Sequence, residues 1–210
     1  MAMHGVPGES GENSAAAEQP PLVEADEELM LAFAAGKAEA FRELFARYRQ
    51  PVFGFFRRRV ADAALAEELA QETFLAVLRT GAKYQPKALF RTWLYAIALK
   101  ILHAHRRKAA FRAAFFGARD EEREPAGPSS LTADAIVRQA VARLDPMDRE
   151  ILLLREFEQL SYAEVAELLH LPANTVRSRL FRARRLLREL LSAPVRQEST
   201  SWAEKVEGML

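Results

Sequence analysis

Arg177, Arg179, Arg182, Arg184, Arg185 and Arg188 crowd one short stretch of the chain, and no acid follows Pro172 until Glu189. Their chemistry is recognition rather than bond-making. A guanidinium pairs two parallel N–H donors with the O6 and N7 of guanine, and an asparagine such as Asn174 offers the matching pair to adenine. Thr175 and Ser178 add hydroxyls suited to base edges or phosphates.

Such side chains can read a groove only if one element carries them. Val176, Leu180, Ala183, Leu187 and Leu190 or Leu191 recur at spacings of three and four, which predicts a helix from about Ala173 with one buried stripe and arginines on its remaining faces. Upstream, Ser161 and Glu164 have the spacing of a capping box. Ala163, Val165, Ala166, Leu168 and Leu169 form the apolar face of the helix they start. His170-Leu171-Pro172 ends it, because proline fixes its own φ and biases the preceding residue away from helical angles. Helix, tight turn and helix make a helix-turn-helix, whose second helix brings Asn174, Thr175, Arg177, Ser178 and Arg182 to the major groove. A solvated amphipathic hairpin would share the stripe, but not the coincidence of cap, proline turn and acid-free basic face.

Other chemistry is hard to build from this chain. There is no cysteine, which excludes disulfides and thiolate metal sites. His103 and His105 are two apart and point to different helix faces, which argues against a metal pair. No Ser-His-Asp order, glycine-rich phosphate loop or carboxylate pair suggests catalysis, so neither metal nor cofactor is expected. No apolar run has the length of a membrane span and no signal-peptide core is present, so the expected location is the cytoplasm.

With 30 Lys+Arg against 29 Asp+Glu the net charge is only +1, yet the charge is segregated. Lys100 to Arg119 and His170 to Arg188 hold no acid, whereas Asp62 to Glu72 holds no base. Two basic surfaces and one acidic surface imply two contacts with nucleic acid and one with a protein.

The pattern throughout is all-α: two small helical domains joined by a flexible linker, the second domain being the helix-turn-helix. Residues 1–24, rich in Gly, Ser, Ala, Pro and Glu, read as a disordered tail. The first domain spans 25–112, the linker 113–131, the second domain 132–192 and a C-terminal tail 193–210. Within the first domain, Asp26 to Ala35 makes a short helix ended by Gly36. Phe41, Leu44, Phe45, Tyr48, Val52, Phe53 and Phe56 then form an aromatic stripe that continues past a kink at Pro51. Asp62 caps a helix to about Arg79, with Leu65, Leu69, Val77 and Leu78 inward and Glu67, Glu68, Gln71 and Glu72 outward. After the loop following Gly81, a helix from about Arg91 to Arg112 interleaves Trp93, Leu94, Ile97, Ile101 and Leu102 with Lys100, Arg106, Arg107 and Lys108. Aromatics beside cations suit single-stranded nucleic acid, although such rings also serve as core.

The order of AEELAQETFLAVL, FRTWLYAIA and, after the linker, LDPMDREILLLREFEQLSYAEVAELLHLPANTVRSRLFRARRLL resembles the extracytoplasmic-function group of bacterial RNA polymerase sigma factors, over roughly residues 26–191. The resemblance implies that the first domain binds core polymerase through Glu68, Gln71 and Glu72, with Phe74 and Leu78 alongside. It implies -10 recognition and melting by Lys83, Tyr84, Lys87, Phe90, Arg91, Trp93, Lys100, Arg106 and Arg107, with Phe90 and Trp93 as wedge or base-capturing rings and Lys83 to Leu89 shaping a pocket. It implies -35 duplex recognition by Arg155, Pro172, Asn174, Thr175, Arg177, Ser178, Arg179, Phe181, Arg182 and Arg184. Asn174 stands where many relatives carry glycine. Leu99-Lys100, followed by Ala104, replaces the family's Arg-Asn and later Asp, which implies an unusual -10 preference. An anti-sigma partner wedged between the domains is a further expectation. The acidic run Asp120, Glu121, Glu122 and Glu124 suggests a linker lying along the path of nascent RNA, and Trp202, Val206 and Met209 a short docking helix. The competing reading is a stand-alone helix-turn-helix regulator, which needs neither an acidic helix nor an aromatic loop and is expected to dimerise on a palindrome.

Overall fold

A computed structural model describes residues 25–116 and 133–192, and among these residues every regular element is a helix. The acidic linker run and the Trp202, Val206 and Met209 set lie outside the described residues.

The first half contains α1 (Asp26–Ala34), α2 (Ala38–Arg57), α3 (Ala63–Thr80), a 3-10 turn (Gly81–Lys83) and α4 (Phe90–Phe116). Gly36 takes a left-handed φ of 95° between α1 and α2, a conformation cheap only for glycine. Pro51 lies inside α2 without ending it. Asp62 caps α3 by accepting from the Ala64 amide. Gly81 follows because α1 comes very close there: a Cβ at this position would sit 2.5 Å from a Phe33 ring carbon.

Met30, Leu44, Val52, Phe55, Phe56, Leu69, Val77, Phe90, Leu94 and Leu102 fill the first core. Two carboxylates of α1 pin that helix down. Asp26 takes Arg47 at 2.8 Å and also the Tyr48 hydroxyl. Glu27 accepts the Phe90 backbone N–H at 2.6 Å, satisfying an open amide at the start of α4 and placing negative charge at its positive end.

The second half contains α5 (Ala133–Ala142), α6 (Pro146–Glu156), α7 (Tyr162–Leu169) and α8 (Ala173–Ser192). Asp145 caps α6, with Pro146 at the first helical position. Ile151, Leu154, Leu160, Val165, Val176, Leu180 and Ala183 form its core. Ala163, expected on the apolar face of α7, is exposed, and the partly buried Tyr162 packs on the core beside it. The predicted capping box is present: Ser161 and Glu164 exchange hydrogen bonds at 3.2 and 2.7 Å. What stops α7 is His170, at a left-handed φ of 54°, whose N–H and that of Leu171 close back on the last turn. Pro172 then opens α8.

Candidate nucleic-acid and polymerase interfaces

At the start of α8, Asn174, Arg177, Ser178, Phe181 and Arg182 are exposed together, and Pro172 beside them is exposed as well. Phe181 is 68% exposed, an apolar surface of the kind that can contact a thymine methyl. Thr175 is half-buried. Arg177 donates to the Asn174 side chain at 3.3 Å.

The other arginines are partly committed within the domain. Arg179 pairs with Asp148 at 2.7 Å, and Arg184 donates to Glu156 through its Nε at 3.0 Å. The Glu156 carboxylate raises the Arg184 pKa further. Arg155, on α6, donates to the Leu160 carbonyl at 3.1 Å while its buried Nε has no partner.

Along α3 the exposed face carries Glu67, Glu68, Gln71 and Glu72, continued one turn on by Leu75 and Leu78, which are 48% and 43% exposed. Leu78 therefore does not face inward. The buried set Ala66, Leu69, Ala70, Thr73, Phe74 and Val77 defines the stripe, and at roughly 100° per residue Leu78 falls outside it. Phe74, expected on the polymerase-facing surface, is inside the stripe and packs edge-on against Phe45 at 4.9 Å. Leu75 is the surface residue that sequence reasoning missed; its spacing from Glu68, Gln71 and Glu72 was the available signal.

In the loop before α4, Lys83 and Lys87 are exposed, but Tyr84 is buried with its hydroxyl unpartnered, and burial raises its pKa. Phe90 is buried too. It stands one turn before Leu94 on the core face and meets Tyr48 edge-on at 5.3 Å, so in this conformation it supports the half-buried Trp93, 6.0 Å away, instead of facing solvent. Farther along α4, Lys100 and Arg107 are exposed, whereas Arg106 donates to the Arg59 carbonyl at 3.3 Å.

The two halves touch, through arginines of the first and carboxylates of the second. Glu158 takes Arg58 at 2.8 Å and Arg59 at 3.0 Å, and Arg59 also takes Glu150 at 2.8 Å. The Arg59 and Glu158 side chains are each only 1% exposed. The Arg59 guanidinium lies 3.7 Å from the Phe55 ring centroid. Burial pushes the Glu158 carboxyl up, with Arg59 and Arg58 pulling against it.

A second contact joins Arg91 of α4 to Glu164 of α7 by two bonds of 3.0 Å, with the Thr92 hydroxyl donating to the same carboxylate at 2.6 Å. Burial alone would raise Glu164, but Arg91, Thr92 and Ser161 together hold it down at about 2. Glu164 thus caps α7 and grips α4 at once. Pairs separated by 72 to 100 residues leave no local pattern. The one trace was the run Arg57 to Arg59 beside core phenylalanines, whose nearest following acid, Asp62, is taken up in capping α3.

Comparison with known proteins matches the description "Sigma-70 region 2" to residues 44–112 and "Sigma-70, region 4" to residues 134–187. The RNA polymerase sigma-H factor of Pseudomonas aeruginosa is 32% identical over 188 residues, covering 83% of this chain and 97% of that protein. The ECF RNA polymerase sigma-E factor of Salmonella typhimurium is 33% identical over 163 residues, covering 71% and 85%.

The chain belongs to the extracytoplasmic-function sigma factors. This sigma factor therefore directs RNA polymerase to promoters, a role that the family performs by recognition and not by catalysis. A stand-alone regulator is disfavoured, since both sigma regions are present in order.

Among solved structures, this sigma factor resembles CnrH in complex with the cytosolic domain of CnrY, at 27% identity and TM-score 0.64, covering 81% of this chain and 99% of that one. A Bartonella quintana complex of the sigma factor RpoE with the anti-sigma factor NepR shares the fold at 22% identity and TM-score 0.61, covering 73% and 98%. No described helix is long and apolar enough to cross a membrane.

Proposed function

We propose that this sigma factor divides promoter-directed initiation among three surfaces in two domains, 25–112 and 132–192. The acidic face of α3, through Glu68, Gln71 and Glu72 with Leu75 and Leu78, docks core polymerase, and Phe74 stiffens that face from beneath. The exposed start of α8 reads the -35 duplex, with Asn174, Arg177, Ser178, Phe181 and Arg182 toward the bases and Arg155, Pro172, Thr175, Arg179 and Arg184 flanking or supporting them. The start of α4 and its loop take the melted -10 strand: Trp93 stacks, Lys83, Lys87, Arg91, Lys100, Arg106 and Arg107 hold phosphate, and Phe90 and Tyr84 form the floor. The protein works in the cytoplasm without catalysing a reaction itself.

The observation that carries this reading is the simultaneous exposure of an acidic-apolar helix face and an acid-free recognition-helix tip on opposite domains of a nearly neutral chain. Since a solved relative is bound to CnrY and another to an anti-sigma factor, an inhibitory protein is the third expected partner.

In vitro run-off transcription tests the reading. Core polymerase plus this chain on a randomised promoter pool should yield transcripts enriched for two short elements. Charge reversal at Glu68 and Glu72, or Leu75→Ser, should remove co-purification with core while leaving the helical spectrum intact; unchanged co-purification refutes the docking assignment.

A further inference from the structure

The arginines assigned to the -35 duplex come from two helices, yet one from each meets a residue that is neither basic nor on α8. The Tyr162 ring, at the start of α7, has the Arg155 guanidinium of α6 at 5.2 Å from its centroid and the Arg177 guanidinium of α8 at 5.5 Å.

Each of the two also has one other tie: Arg155 to the Leu160 carbonyl and Arg177 to Asn174. A guanidinium held between a ring and a polar acceptor has lost most of its rotamers before a ligand arrives. Arg182, by contrast, projects from the exposed side of α8 with neither ring nor acid beside it.

We propose that Tyr162 is the positioning residue of the duplex-reading surface, holding Arg155 and Arg177 in a preset pair. The proposal rests on the assignment of α8 to the -35 duplex and adds to it a residue outside the basic set. Its physical content is preorganisation: the ring supplies cation–π contacts to two guanidiniums from different helices, so DNA meets side chains whose ordering cost has already been met. Tyr162 can do this because it is half-buried, packed on the core and fixed at the capped first turn of α7 by Ser161 and Glu164.

The test uses the full chain and a duplex enriched by it from a randomised double-stranded pool. Tyr162→Leu keeps apolar bulk and removes the ring; Tyr162→Phe keeps the ring and removes the hydroxyl. Loss of two cation–π contacts should weaken binding of the enriched duplex by about tenfold in the leucine variant, whereas the phenylalanine variant should stay within about threefold. The leucine variant should keep the wild-type slope against salt, because no phosphate contact is removed. Equal binding by the leucine variant overturns the proposal, and so does a phenylalanine variant as weak as the leucine one.

Side-chain relaxation of arginine Nε in the free wild-type chain needs no variant. Arg155 and Arg177 should be more rigid than Arg182, and equal mobility also overturns the proposal. If the wild-type chain enriches no duplex at all, what fails is the assignment of α8, while the relaxation measurement still judges Tyr162.

Discussion

Glu164→Gln separates the two tasks of one side chain. Glutamine still fits the third position of a capping box, so α7 keeps its start, but the charge that grips Arg91 is gone. A carboxyl held at about 2 against an ordinary 4.5 carries about 3 kcal/mol of favourable interaction at neutral pH. Part of that comes from Ser161 within α7, and Arg91 is 36% exposed and so partly screened, which leaves about 2 kcal/mol for the contact between domains. The other cluster, around Glu158, cannot make up the difference, because desolvating Arg59 and two carboxylates consumes most of what their attraction returns.

Losing 2 kcal/mol should therefore shift the balance toward separated domains by about thirtyfold. On the proposed division of the promoter between the domains, this opening has to occur in function. The -35 and -10 elements lie roughly 85 Å apart along B-DNA, while two touching domains of this size have centres roughly 30 Å apart. The chain has no cysteine, so Glu67→Cys on α3 and Arg188→Cys on α8 give unique positions for spin labels. Glu164→Gln should broaden and lengthen the label-to-label distance distribution measured by pulsed electron resonance. An unchanged narrow distribution refutes the assignment of the lock to Glu164.

Two further outcomes follow from the same geometry. Arg59→Met leaves Glu150 and half of the Glu158 pairing unmet inside the interface and should cost about 3 kcal/mol in chemical denaturation; a loss under 1 kcal/mol means that the cluster is hydrated in solution. His170→Gly removes a left-handed side-chain residue from the end of α7 and should stabilise the second domain by about 1 kcal/mol, read as a higher thermal midpoint.

The pH response carries a sign as well. Because Glu164 sits below its unfolded value, its contribution is fully present above about 4.5 and disappears as pH falls toward 2. Domain contact should thus persist at pH 5, and opening there would contradict the assignment.

The second domain was legible because each of its signals is local. Ser161 and Glu164 are three apart, the αL stop and Pro172 adjoin them, and the stripe from Val176 to Ala183 repeats within one helix. The first domain was legible in its elements but less so in its faces. On α3 the periodicity put Leu78 inside and the resemblance put Phe74 beside the surface groups, the reverse of their burial. Phe90 is core, as its residue type favours and as its edge-on contacts with Tyr48 and Tyr84 require, whereas the wedge role came from the resemblance alone. The ties of Arg58, Arg59 and Arg91 to Glu150, Glu158 and Glu164 depend on how two domains dock, which no helical period encodes.

Charge counting also overstates what α8 offers to DNA. Of its six arginines, Arg179 is tied to Asp148, Arg184 to Glu156 and Arg185 loosely to Glu189 at 3.6 Å. An arginine that must leave a carboxylate to reach a phosphate exchanges one attraction for another, so it adds less to affinity than a free one. The gain concentrates where the structure leaves side chains uncommitted to acids, at Asn174, Arg177, Ser178, Phe181 and Arg182. Three of these five are not cationic, which moves the emphasis from phosphate attraction to base contact. With three of its six arginines paired and Arg188 left free three turns beyond the tip, α8 should bind random DNA more weakly than its charge count suggests and, on the proposed assignment, keep its remaining donors for sequence.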